Sequence, residues 1–103
     1  MFRVSVCYGQ PADPAAFDEH YEHTHIPMAL KVPGLVGFTS GKCRSIPPGQ
    51  DPPYYMVASL LFDTSEDLKT ALKSPEMAAA GADVRNFATG GATMYSTEEI
   101  VHS

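Results

Sequence analysis

Between Phe2 and Tyr8 the side chains alternate strictly, with Phe2, Val4, Val6 and Tyr8 on one face and Arg3, Ser5 and Cys7 on the other. A two-residue period of this kind belongs to a β-strand. The same period returns over residues 35–44, the apolar run 54–62 reads as a third strand, and 92–96 reads as a fourth. Two stretches of helical spacing separate these runs, so the element order reads strand, helix, strand, strand, helix, strand. In 103 residues that order predicts one α+β domain spanning residues 1–103. Its topology is the split βαβ arrangement, a four-stranded antiparallel sheet with both helices on one face.

Local signals place the helices. Asp13-Pro14 supplies a side-chain acceptor at the N-cap and a proline at the first helical position, where its missing N–H is harmless. Phe17 and Tyr21 then fall four apart on one face, flanked by His20 and Thr24. Pro27 disfavours helical geometry at Ile26, so this helix is expected to end near His25. Thr64-Ser65-Glu66-Asp67 resembles a capping box, and Ser74-Pro75 restarts the second helix. The stripe Met77, Ala80, Gly81 and Val84 consists mostly of small residues, which lets a helix lie close to a sheet. Residues 46–53, with four prolines, form neither helix nor strand. The apolar run 54–62 suits a central strand covered on both faces.

Composition narrows the function. Twelve acidic residues against seven basic ones give a net charge of −5, and the basic residues are scattered, so no stripe for nucleic-acid phosphates exists. No apolar run approaches the roughly 20 residues of a membrane-spanning helix. Cys7 and Cys43 are the only cysteines and stand at no metal or disulfide spacing, which suits reduced thiols in a cytoplasmic protein. Nucleotide-binding glycine motifs and the Gly-x-Ser-x-Gly of serine hydrolases are absent. With both helices on one side, the other sheet face is left bare. A second copy packed face to face is the simplest cover, and the space between the two sheets is then the expected pocket, with Val57 and Ser5 losing exposure only in the dimer.

The segment Phe17-Asp18-Glu19-His20-Tyr21-Glu22-His23-Thr24-His25-Ile26-Pro27, followed by Pro33-Gly34-Leu35, carries a Phe, an aromatic four residues on, a His before x-Pro, and Pro-Gly-Leu. In this it resembles the EthD family of the dimeric α+β barrel superfamily. Asp83-Val84-Arg85-Asn86-Phe87 is a second match. The resemblance implies a ferredoxin-like protomer and a homodimer. It implies no single reaction, because similar proteins include polyketide cyclases, methylmuconolactone isomerases, cofactor-free monooxygenases and EthD itself, an accessory of ether degradation.

His25 is the first candidate for chemistry, since a helix end can place an imidazole at the mouth of a pocket and its ordinary pKa suits proton transfer at neutral pH. A favourable interaction with the last carbonyls of the helix is the plain alternative. Tyr21, with Tyr8, Tyr54 and Tyr55, offers a proton to a developing oxyanion, against ordinary burial in the core. Arg3 faces away from the apolar side of the first strand and is a candidate oxyanion or carboxylate holder, with a rim ion pair as its alternative use. The three histidines 20, 23 and 25 do not make a metal site on an α-helix. His20 and His23 are about 60° apart there, and His25 lies far round from both. No second titratable group stands at diagnostic spacing from His25. Neither cofactor nor metal is expected. Three readings follow: a cofactor-independent isomerase or cyclase acting on a small aromatic, lactone or polyketide-like compound, with His25, Tyr21 and Arg3 as its working residues; a non-catalytic binding protein for a hydrophobic metabolite; and a cofactor-free monooxygenase, which alone consumes oxygen.

Overall fold

Three side chains set the helix starts where the sequence offers them. Asp13 accepts the Ala16 N–H at 3.2 Å, Thr64 the Asp67 N–H at 3.1 Å, and Ser74 the Met77 N–H at 3.1 Å, each satisfying a donor that the first helical turn leaves open. The computed structural model describes all 103 residues. In chain order they form β1 (Phe2–Tyr8), α1 (Pro14–His20), a π-helical turn (Tyr21–His25), α2 (Ile26–Ala29), β2 (Gly37–Lys42), β3 (Met56–Phe62), α3 (Ser65–Leu72), α4 (Pro75–Phe87) and β4 (Ala92–Glu98).

The strands make one antiparallel sheet in the order β2-β3-β1-β4. The fold is therefore ferredoxin-like α+β. Its register sets Val4 between Leu60 and Ser96, and Tyr8 between Met56 and Ala92. Val4, Val6 and Tyr8 of β1 and Met56, Ala58, Leu60 and Phe62 of β3 form the core with Phe17, Tyr21, Leu68, Ala71 and Phe87 of the helical layer. Phe17, 1% exposed, lies at its centre, with its ring 5.0–5.8 Å from those of Tyr8, Tyr21, Tyr55 and Phe87. At the end of β1 the chain passes very close to the turn before β4. A Cβ on Gly90 would stand 2.3 Å from the Gln10 carbonyl oxygen, so only glycine allows this approach.

Three expectations need correction. The first helix does not end near His25. It widens into a π turn, in which the Ile26 N–H reaches the Tyr21 carbonyl, and continues to Ala29. Pro27 lacks the N–H for a regular turn and its ring would press on the carbonyl four residues back; a widened turn is one way a helix carries a proline without breaking. The central strand β3 is not covered equally on both faces, since Val57 and Leu61 on the side away from the helices are only half-buried. Ser5 needs no partner to lose its exposure: it is 6% exposed within the single chain.

Replacing Phe17 by alanine removes the ring that four aromatics share and should cost about 3–5 kcal/mol. Thr64→Ala removes one cap and should cost about 1 kcal/mol. Urea denaturation followed by circular dichroism reads both, and a Phe17→Ala loss no larger than that of Thr64→Ala would contradict the packing described.

Candidate active site

On an α-helix, residues five apart stand roughly 140° apart, and His20 and His25 would face different ways. The π turn between them takes one more residue into the turn, which brings residues five apart back towards one face. Both imidazoles consequently reach one carboxylate. His20 Nε2 lies 2.8 Å from Asp83 Oδ1, and His25 Nδ1 lies 2.9 Å from Asp83 Oδ2. The expected separation of His25 from His20 is thus overturned, because the helix widens where α-helical projection assumes a constant turn. The rings are held by aromatic faces: His20 stacks on Phe87 with centroids 5.2 Å apart, and His25 on Tyr21 at 5.5 Å.

Asp83 comes from α4, one turn after Ala80 and one before Phe87 on the inward stripe of that helix. Its side chain is 6% exposed and also accepts the Asn86 amide N–H at 3.0 Å. No lysine or arginine pairs with it. Burial works against its charge, but the hydrogen bonds from Asn86, His20 and His25 outweigh that penalty and hold the carboxyl below its ordinary pKa. For His25 burial is the largest influence and lowers the pKa; the hydrogen bond and charge of Asp83 push it back up, and His20 opposes them, leaving it below the ordinary histidine value. His25 is therefore a neutral imidazole at pH 7.

His25 opens on an apolar cavity of about 70 Å³ between the sheet and the helices, room for several waters or a compact ligand. Tyr8, Tyr21, Phe38, Leu60 and Val84 are among its walls. His25 uses Nδ1 on Asp83, while Nε2 has no partner in the chain and is not sealed from the cavity. The Tyr21 hydroxyl is buried without a hydrogen-bond partner, and burial raises its pKa against a smaller opposing effect from Ser40. Burial, and the proximity of Tyr21 and Asp83, push the Tyr8 phenol well above its ordinary value. Both phenols thus keep their protons at neutral pH.

The structure brings His25 and Tyr21 together and leaves Arg3 apart. Arg3 stands on the opposite face of the sheet and pairs with Glu99. The cavity lies under the helices of the single chain, a place the sequence did not point to. The cause is the side chosen by the helices: they cover Val4, Val6 and Tyr8, and the small residues Ala80 and Gly81 of α4 leave the space. Asp83, known from the sequence only as part of the second family match, and His20, weighed only as a metal ligand, are the residues that join His25 here. One signal for Asp83 was available, an acid on the stripe that otherwise reads Met77, Ala80, Val84, Phe87. No group of three histidine, cysteine, aspartate or glutamate side chains is arranged to hold a metal ion.

A ferredoxin-like protomer with a histidine–aspartate pair at an apolar cavity is the class that this geometry defines. The model of the EthD domain matches residues 9–91, and the chain belongs to the EthD family. It is 46% identical over 99 residues to an uncharacterised 11.0 kDa protein from the thcB-thcC intergenic region of Rhodococcus erythropolis, covering 96% of this chain and 95% of that one. Among solved structures, an EthD family protein of Bacillus halodurans shares 33% identity with a TM-score of 0.88, covering 97% of this chain and 99% of its own. A dimeric ferredoxin-like protein of unknown function from Thermobifida fusca shares the fold at 12% identity and a TM-score of 0.68, covering 93% and 88% of the two chains. No helix is long and apolar enough to cross a membrane.

The pKa directions set a stability trend. Unfolded His25 binds a proton near 6.5, and the folded chain resists that proton, so stability should fall as pH drops below that value towards the folded pKa. Asp83 is held charged, so a second loss follows at lower pH as its carboxyl is protonated. Thermal unfolding at a series of pH values should show the first decline in the wild type and a shallower one in His25→Gln. Parallel curves for the two proteins would contradict the assignment.

Proposed function

We propose that the cavity is a cofactor-independent proton-transfer site for a small, largely apolar compound carrying a carbonyl, of the lactone, phenol or polyketide-like kind. The observation that carries this reading is a buried histidine at the wall of an apolar cavity, its Nδ1 held 2.9 Å from a buried carboxylate and its Nε2 without a partner in the chain. His25 Nε2 takes the proton from the carbon beside the carbonyl, and the electron pair of that C–H bond moves onto the carbonyl oxygen. The new imidazolium is stabilised by Asp83 through Nδ1–H. Returning the proton to a different carbon completes an isomerisation; in a cyclisation the enolate carbon attacks a second carbonyl of the same molecule, and the alkoxide that forms takes the proton back from His25. Arg3, on the far face, takes no part in these steps.

The second reading, a binding protein for a hydrophobic metabolite of ether or aromatic degradation, is favoured by the almost wholly apolar cavity wall. Solvent-deuterium exchange followed by NMR separates the two. Lactones, phenols and keto acids are incubated with the protein in D₂O, and label entering the acidic C–H position marks proton transfer. His25→Gln should lower the exchange rate about 100-fold or more, and Asp83→Asn should also lower it, because the amide reverses the tautomer that Nδ1 prefers. Exchange unchanged in His25→Gln would sink the catalytic reading, and saturable binding without exchange would favour the second. Oxygen uptake during turnover would instead mark a monooxygenase.

The protein is further proposed to work as a homodimer in the cytoplasm. Support for the dimer comes from the sheet face left without helices, from β4, exposed along its length, and from structural neighbours described as dimeric. The free thiols of Cys7 and Cys43 are consistent with a reducing compartment. Light scattering at micromolar protein should give twice the 11.1 kDa of the chain, and a monomeric mass would overturn the dimer.

A further inference from the structure

Asp83 binds two histidines, and the chemistry proposed above uses only one. His20 gives its Nε2 to Oδ1 at 2.8 Å while its side chain stays 29% exposed to solvent. His25 meets Oδ2 of the same carboxylate and is buried. Stacking on Phe87 fixes the plane of the His20 ring, and the π turn fixes its position relative to His25. Few ionisable groups face this cluster: His20, Tyr21 and His25 from the first helix, Asp83 from α4, and Tyr8 from β1. The two phenols stay protonated at neutral pH, and no lysine or arginine pairs with the carboxylate. His20 is therefore the one partner of the carboxylate that is a second imidazole and also reaches solvent.

We propose that His20 is a positioning residue whose own protonation sets the basicity of His25 through the Asp83 carboxylate they share. The proposal rests on the reading of His25 as the proton acceptor. With His20 neutral, Asp83 keeps its full charge for the imidazolium that forms when His25 Nε2 takes a proton. With His20 protonated, that carboxylate already faces one cation, and a second on its other oxygen is disfavoured. His25 is accordingly a stronger base when the surface histidine is neutral and a weaker one when it is charged. The pair makes a switch that closes on the acid side.

Histidine ring NMR signals of the full chain, followed from about pH 4.5 to 9 across the histidine range, test this without any substrate. In the wild type the His20 and His25 signals should each show both titration steps, the mark of coupled sites. His20→Gln still offers a donor to Asp83 but never carries charge, whereas His20→Lys stays charged throughout the range. The His25 midpoint should move up in the glutamine variant and down in the lysine variant, each by about one pH unit. A merely structural role would move both the same way. Midpoint shifts of one sign in the two variants, His25 curves that superimpose on wild type, or independent single-step titrations in the wild type would each overturn the proposal. Loss of deuterium exchange in His25→Gln is read separately, so coupled titration with unchanged exchange would sink the proton-acceptor reading alone, and the reverse result would sink only the switch.

Discussion

A carboxylate buried without a lysine or arginine must collect its donors from nearer chemistry, and Asp83 collects three: two imidazoles and an amide. Leaving such a charge unpaired inside a protein costs several kcal/mol, so the arrangement of the first helix and α4 follows from this meeting. It ties the end of the first helical segment to the second helical layer across 58 residues of sequence. It also fixes the tautomer of His25, because the ring can offer Nδ1–H to Asp83 only if Nε2 is left as the acceptor. One ion-like contact therefore ties the helices together and settles which nitrogen of His25 carries the proton.

The π turn at Tyr21–His25 makes that contact geometrically possible. A regular α-helix would send one of the two histidines towards solvent or into a different part of the core. Widened turns have poorer hydrogen-bond geometry and are kept mainly where they serve a site. Here the same turn also accommodates Pro27, so the proline that would end an ordinary helix sits just beyond the turn that assembles the site. Aromatic stacking compensates locally: Tyr21 lies between the Phe17 and His25 rings, nearly parallel to the first, and Phe87 backs both histidines.

How much of this was legible in the amino-acid sequence depends on the distance over which each feature is decided. Element order, antiparallel topology and all three helix caps rest on two- to four-residue patterns such as Asp13-Pro14 and Ser74-Pro75, and these hold in the structure. The end of the first helix at His25 did not hold, since a proline's local preference was outweighed by tertiary contacts through Ala29, buried at the helix end. Periodicity assumes a constant turn, so it could not bring His20 and His25 together. The partner of His25 was invisible at any short spacing because it stands on another helix. Asp83 nonetheless left a trace as an acid on an apolar stripe, and an acid there either finds partners or unfolds the helix from the sheet. Which sheet face carries the cavity was beyond alternation alone, because β1 puts four side chains on one side and three on the other and only the packing of α4 chooses between them.

That choice divides the molecule into two independent surfaces. The helix-covered face of the sheet carries the cavity, the imidazole and both phenols. The other face carries Arg3 with Glu99, the half-buried Val57 and Leu61, and Tyr95 reaching towards the Cys7 thiol. A residue in a strand points to one side only, so substitutions at alternate positions of β1 address one surface and spare the other. Arg3, Ser5 and Cys7 can change while Val4, Val6 and Tyr8 keep the cavity wall. A shared ferredoxin-like fold therefore need not imply a shared reaction, because the chemistry of one face can vary without disturbing the other.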